Sequence, residues 1–296
     1  MLRIPLPVTI TGCLFVFLIG TLTIAADIDD GAADLFNITL RSKMDIVAQG
    51  KVQKVDAETD IYYTWTRNAR RRVLSIQSLM AKVGVDGKPL SNGFMSRAKI
   101  TQTEQGETQE VLLESATEEL KQMLQDSFDS PVCEREVDDN GREVKRTVVA
   151  GPGAKDLIDS GIIANALLFH PPFLQDQNEW QAQTEVSMGN GGYATGRLSY
   201  TKTGGAKIGQ TVKVSGTLTN ESFKKPGTPV TIKNASYVVR GEQTYDPSQQ
   251  AWVSGEIAID VSFQLAANDR IVSSAKGTIS ARCAKLRGAT RGDTKQ

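Results

Sequence analysis

From Phe36 onward the apolar residues keep one parity. Phe36, Ile38, Leu40, Met44, Ile46, Ala48 and Val52 alternate with Asn37, Thr39, Arg41, Lys43, Asp45, Gln49 and Lys51. A period of two held this long predicts a half-buried strand, bent near Gly50. Residues 60–66 repeat the pattern with Ile61, Tyr63 and Trp65 on one face, and 73–85 follow up to the Asp86-Gly87 turn signal. Further strands are expected at 94–102, 107–113, 132–137 and 143–149, the last two flanking Asp139-Asn140-Gly141. Beyond Trp180 the chain reads as a meander punctuated by Asn190-Gly191, Gly204-Gly205, Lys225-Pro226-Gly227, Asp246-Pro247-Ser248 and Asn268-Asp269. Its clearest strand is 252–265, where Val253, Ile257, Ile259, Val261, Phe263 and Leu265 alternate with polar neighbours, the pattern of an antiparallel sheet covered on one side.

The period changes twice. Ser115 with Glu118 forms a capping-box pattern, and Leu120, Met123, Leu124 and Phe128 recur at helical spacing, so a helix is expected over 116–127. A second is expected over 154–169, apolar around much of its circumference through Leu157, Ile158, Ile162, Ala164, Ala166 and Leu168, and stopped by His170-Pro171-Pro172. The fold class that follows is mainly β (α+β): a large antiparallel sheet, as a barrel, half-barrel or two packed sheets, with two helices. The β-rich region, 27–286, leaves room for two lobes, 27–150 and 170–286, joined by the helix 154–169.

The chain opens with Arg3, an apolar run centred on residues 13–24 and then Ala25-Ala26 before Asp27, so residues 1–26 read as a signal peptide and the protein as exported to the periplasm, cell envelope or medium. The apolar run is also just long enough for an uncleaved anchor. Ile10-Thr11-Gly12-Cys13 has the look of a lipidation box, but the strongest apolar stretch lies after Cys13 rather than before it. Membrane contact is therefore expected only with an uncleaved signal or a lipidated Cys13. Residues 287–296 are basic and aperiodic and read as a disordered tail. The balance of 34 Lys and Arg against 34 Asp and Glu disfavours nucleic acid as a partner.

Candidate chemistry is sparse. His170 is the single histidine and has no Gly-x-Ser-x-Gly sequence to accompany it, so it reads as structural, at a helix end where the macrodipole favours its charge. No cofactor or metal site is readable, because zinc needs a cluster of ligands that one histidine cannot supply. Cys133 and Cys283 are a candidate disulfide closing a loop of about 150 residues, with two separate buried thiols as the equal alternative. Arg67, Arg70, Arg71 and Arg72 crowd one turn that could bind an anion or simply blunt a sheet edge. Trp65, Trp180, Tyr193, Tyr200, Trp252 and Phe263 are candidate lining for a greasy groove, or plain core.

Phe169-His170-Pro171-Pro172-Phe173, Trp180, the run from Met188 to Tyr193 and Gly241-Glu242-Gln243-Thr244-Tyr245-Asp246 resemble the pattern of a family of exported bacterial proteins with a β-rich domain of unknown function. The resemblance implies a cell-envelope setting and transfers no activity. The expectation is a non-enzymatic binding or scaffold module for a lipid, a lipidated chain or another envelope protein. The alternative is a carboxylate-based hydrolase of envelope polysaccharide, which requires two carboxyl groups roughly 5 to 10 Å apart in a cleft.

Overall fold

The computed structural model describes residues 33–286, apart from 69, 105, 129–130, 140–141, 190–191, 207–208 and 225–226. The expected signal peptide with Cys13, the expected tail 287–296 and the Asn190-Gly191 turn lie outside the described residues.

Among the described residues, fourteen strands form one antiparallel sheet. The amino-terminal half supplies β1 (Ala33–Ala48), β2 (Lys51–Asn68), β3 (Arg71–Val85), β4 (Lys88–Ser96), β5 (Lys99–Glu104) and β6 (Glu107–Leu112). After α1 (Glu118–Phe128) come the hairpin strands β7 (Cys133–Val137) and β8 (Glu143–Val148), then α2 (Lys155–Asp159) and α3 (Ile162–Leu168). The carboxy-terminal meander is β9 (Glu179–Gly189), β10 (Gly192–Ala206), β11 (Gly209–Lys224), β12 (Val230–Asp246), β13 (Ala251–Ala267) and β14 (Arg270–Leu286). The two meanders are joined where β1 pairs β14, from Leu35 opposite Leu286 to Ala48 opposite Ser273.

Alternation explains which face is buried. Phe36, Ile38, Met44 and Ile46 on β1, Val55, Ile61, Tyr63 and Trp65 on β2, and Ile257, Ile259, Val261, Phe263 and Leu265 on β13 all point into one core. On β3 the parity flips, from Leu74 and Ile76 to Leu79, Ala81 and Val83, because Gln77 is an extra residue opposite the Tyr62-Tyr63 step. That bulge divides the strand's outer edge. Its first half, Arg71–Leu74, pairs β7, and its second half, Ser78–Val85, pairs β4.

The sheet curls until the branch strand β8 approaches the edge strand β9. Leu40 of β1, Val186 of β9 and Tyr237 of β12 border the same cavity as Leu168 of α3. Arg146 of β8 reaches Glu185 of β9 at 2.9 Å, yet no backbone ladder links these two strands. The curl needs close approach on the inner face. A Cβ on Gly277 of β14 would lie 2.0 Å from the carbonyl oxygen of Lys43, so only glycine lets β1 and β14 come this near.

Several boundaries differ from the expectation. Gly50 marks a reversal and not a bend: Gln49 and Gly50 both take positive φ, 50° and 75°, and β2 returns alongside β1. The stretch 94–102 breaks into β4 and β5 after Ser96, and Gly204-Gly205 lie inside β10, where the register shifts. The first helix is capped by Thr117, whose Oγ1 accepts the Leu120 amide at 3.3 Å, while the Ser115 hydroxyl is spent on the Leu112 carbonyl. The helix expected over 154–169 is broken into α2 and α3 at Gly161, φ 80°.

Native-state hydrogen exchange checks this organisation. Amides in 36–46 and 275–283, paired on both sides, are expected to exchange slowest, and those of the wholly exposed β6 fastest. Equal exchange in β1 and β6 would remove the joint between the two halves.

Candidate functional site

The site is assembled around α3 and the segment 169–174, which occupy the inside of the curled sheet. All seven residues of α3 except Asn165 are buried, as a helix without a polar face must be. Its entry depends on Gly161, where a Cβ would sit 1.8 Å from Cβ of Ser187, and where the backbone is left-handed. Ser187 of β9 donates its hydroxyl to the Ser160 carbonyl at 3.0 Å, so the break in the helix is also its anchor.

A buried helix end needs partners for its last carbonyls. The prolines that follow cannot continue the helix, and the sheet supplies the donors instead. Gln243 of β12 donates to the Leu168 carbonyl at 3.0 Å, Arg135 of β7 to the His170 carbonyl, and the Trp252 indole of β13 to the Pro171 carbonyl at 2.8 Å. The adjacent strands β12 and β13 and the distant β7 are thereby tied to one short segment.

His170 lies at the centre of this arrangement. Its ring stacks on Trp65 at 4.5 Å, meets Phe36 edge-on at 4.8 Å and shares a 2.7 Å hydrogen bond from Nε2 with the Tyr63 hydroxyl. Tyr63 also approaches Sγ of Cys283 at 3.5 Å. The expectation of a charged histidine stabilised by a helix dipole is overturned here. Burial, aided by repulsion from Arg135 and Arg67, lowers its pKa to about 3, and the macrodipole, worth at most about 2 kcal/mol, does not offset that desolvation. His170 is neutral at physiological pH.

Among the described residues, three cavities that share lining residues follow one another inside the sheet. The first, about 80 Å³, is bordered by Trp65, Arg67, Arg72, Arg135, His170, Tyr245 and Trp252. The second, about 290 Å³, has Ala164, Leu167, Leu168, Leu174, Trp180, Ala182 and Tyr200 as its apolar wall and Arg135, Arg142, Glu143, Arg146 and Glu185 at its polar side. Arg135, Pro171 and Pro172 belong to both. The third, about 180 Å³, lies against Leu40, Ala57, Val186, Tyr237, Ile259 and Ile279, and shares Leu168 with the second. Of the aromatic residues expected to line a groove, Trp65 and Trp252 border the first cavity and Trp180 and Tyr200 the second. Tyr193 instead reaches the Ile158 carbonyl, and Phe263 packs in the core.

The arginine turn divides. Arg70 forks onto Asp139 and Arg71 pairs with Glu134, both arginines being exposed, whereas Arg67 and Arg72 border the first cavity. Arg135, which joins them, is only 5% exposed and sits in a stretch with no signal beyond ordinary strand alternation. Cys133 and Cys283 are free thiols on β7 and β14, with β3, β2 and β1 between them in the sheet, so the candidate disulfide is not formed. Burial is the leading cause that pushes their pKa values up to about 11 and about 12, so neither is a thiolate nucleophile at neutral pH. In the second cavity Glu143 and Glu185 are both committed to Arg146, at 3.0 and 2.9 Å. Among the described residues no three His, Cys, Asp or Glu side chains gather in a way that could hold a metal ion.

No protein-family model and no curated protein matches the chain. Among solved structures, one of lipid–protein interactions in lipovitellin aligns with a TM-score of 0.44 at 10% identity, over 84% of this chain and 24% of that one, so the chain spans about a quarter of lipovitellin's length. OccK5 (OpdH) of Pseudomonas aeruginosa aligns with a TM-score of 0.24 at 8% identity, over 86% of this chain and 98% of that one. The translocator domain of autotransporter NalP from Neisseria meningitidis aligns at 0.23 and 6% identity, over 88% and 90% of the two chains.

The buried neutral histidine makes stability pH-dependent with a definite sign. Its folded pKa, about 3, lies below the ordinary value of 6.5, so below pH 6.5 the unfolded chain takes up a proton that the folded chain refuses. Stability is unaffected above that pH and falls as pH drops, by about 2 kcal/mol at pH 5. His170→Gln should flatten this part of the profile in urea titrations at pH 7, 6 and 5. An unchanged slope in the variant would assign the acid sensitivity to other groups.

Proposed function

We propose that the protein is an exported, non-catalytic binding module of the cell envelope that holds an apolar ligand, a lipid or a lipidated chain, on either side of α3. The observation that carries this reading is the pair of chambers, about 290 and 180 Å³, that share Leu168 as a partition. A cavity of about 150 Å³ lined by aliphatic residues stays dry and accepts a benzene, so these chambers are of a size for alkyl chains. Ligand pockets are generally apolar walls with a few convergent polar groups, and the second chamber has both. The export signal expected at residues 1–26 supports the envelope setting.

Incubation with a lipid extract should raise the unfolding temperature. At a ligand concentration of 100 times Kd the stabilisation is about 2.7 kcal/mol, or about 5–10 °C for a chain of this size. Native mass spectrometry of the protein from its own envelope should show an added lipid mass. Leu168→Trp, which fills the partition, should abolish both signals while retaining a cooperative unfolding transition. The absence of any shift and of any added mass in the unmodified protein would leave a scaffold role in place of binding.

A further inference from the structure

The first cavity is too small for a tail, and its walls are of another kind. Arg67 from the end of β2, Arg72 from the start of β3 and Arg135 from β7 meet around about 80 Å³, against the rings of Trp65, Tyr245 and Trp252. Arg67 and Arg135 each share a carboxylate with a second cation. Asp34 serves both Arg67, at 2.9 Å, and Lys285, at 2.6 Å. Glu143 serves both Arg135 and Arg146. Asp246, at the end of β12 nearby, is turned into its own turn, where it accepts from Ser248 and Gln249. Three guanidinium groups, one of them almost wholly buried, therefore meet in one partly dehydrated place. Burial first, then repulsion from Arg67, lowers the pKa of Arg72 from the usual guanidinium value, with Tyr245 opposing and Arg135 adding to the shift. Guanidinium groups at an aromatic wall are suited to carboxylate and phosphate, which they bind as a planar fork.

The position of this cavity gives it a partner. It adjoins the second chamber through Arg135, Pro171 and Pro172, and Arg135 is itself almost wholly buried. A charged end, then an apolar chamber, is the order of groups in an amphiphile. Resting on the binding reading above, we infer that the ligand is a single-chain amphiphile with an anionic head, a carboxylate or a phosphate monoester. The head lies among Arg67, Arg72 and Arg135, and the tail passes Pro171-Pro172 to lie against Leu167, Leu168 and Trp180. The second chamber is about twice the ~150 Å³ that accepts a benzene, so it takes a tail of about ten carbons.

Titration calorimetry on the purified protein tests the assignment with four probes: decanoate, decyl phosphate, decan-1-ol and inorganic phosphate. Decanoate and decyl phosphate are expected to bind at least tenfold more tightly than decan-1-ol, and inorganic phosphate at least a hundredfold more weakly than decyl phosphate. R72Q should cut the preference for acid over alcohol at least fivefold, and R70Q, on the outer face with Asp139, should keep it. Equal binding of acid and alcohol by the unmodified protein overturns the anionic head and leaves the apolar-ligand reading standing. If none of the three alkyl probes binds, the apolar-ligand reading itself fails. Inorganic phosphate binding as tightly as decyl phosphate makes the site one for a free anion and overturns the amphiphile.

Discussion

The pairing of β1 with β14 is the constraint on which the rest depends. Among the described residues it is the one ladder between the two meanders, and it closes the chain over more than two hundred intervening residues. Closing so long a loop is entropically unfavourable, though the cost grows only slowly with length. What makes the joint hold is that both strands are buried on the same side. Phe36, Ile38, Met44 and Ile46 stand on β1 and Ala275, Ala281 and Cys283 on β14, all in one core. A shift of one residue would turn each of these side chains to solvent, so the register is held by the whole apolar face. The near approach at Gly277 permits the curl that follows from it.

Once the sheet is curled, something must fill it, and the segment 154–174 does so. An apolar helix with a proline-terminated end could not be placed there without donors for its carbonyls, because each buried unpaired polar group costs about 1–3 kcal/mol. Gln243, Arg135 and Trp252 meet that need from three different strands. The same logic explains His170: with its ring stacked and bonded to Tyr63, the neutral imidazole is a good core residue and the charged one a poor one. The filler is shorter than the space around it, and the cavities are what remains.

Much of the fold was legible as alternation, because period two reports a one-sided sheet directly. Strands around Phe36, Ile61, Val73 and Ile257, and the type of both helical regions, followed from it. Reversals were less legible. Gln49-Gly50 carries no Asn or Asp at its first position, and continued parity across it disguised a hairpin as a bend. The break at Gly161 was hidden because its cause, contact with Ser187, is distant in sequence. The site was legible in part. Arg67 and Arg72 stood out in a cluster, but separating them from Arg70 and Arg71 requires knowing where Asp139 and Glu134 lie. Arg135 gave no sign, since a buried arginine in an alternating strand looks like an exposed one. The charge on His170 was misjudged because a helix end is visible in sequence and its burial is not.

The seam between β8 and β9 is of a different kind from the ladders of the sheet. Elsewhere neighbouring strands share a ladder, but among the described residues none links these two, and Arg146 and Glu185, both partly exposed, meet across the seam through their side chains. Such a pair contributes about 0–1 kcal/mol, far less than a strand ladder with its packed face. The second chamber lies directly behind it, with Arg146, Glu185, Leu167 and Trp180 among its walls. A closed barrel would seal that chamber behind hydrogen-bonded backbone. Here an exposed ion pair, and not a ladder, stands over the space that the cavity leaves.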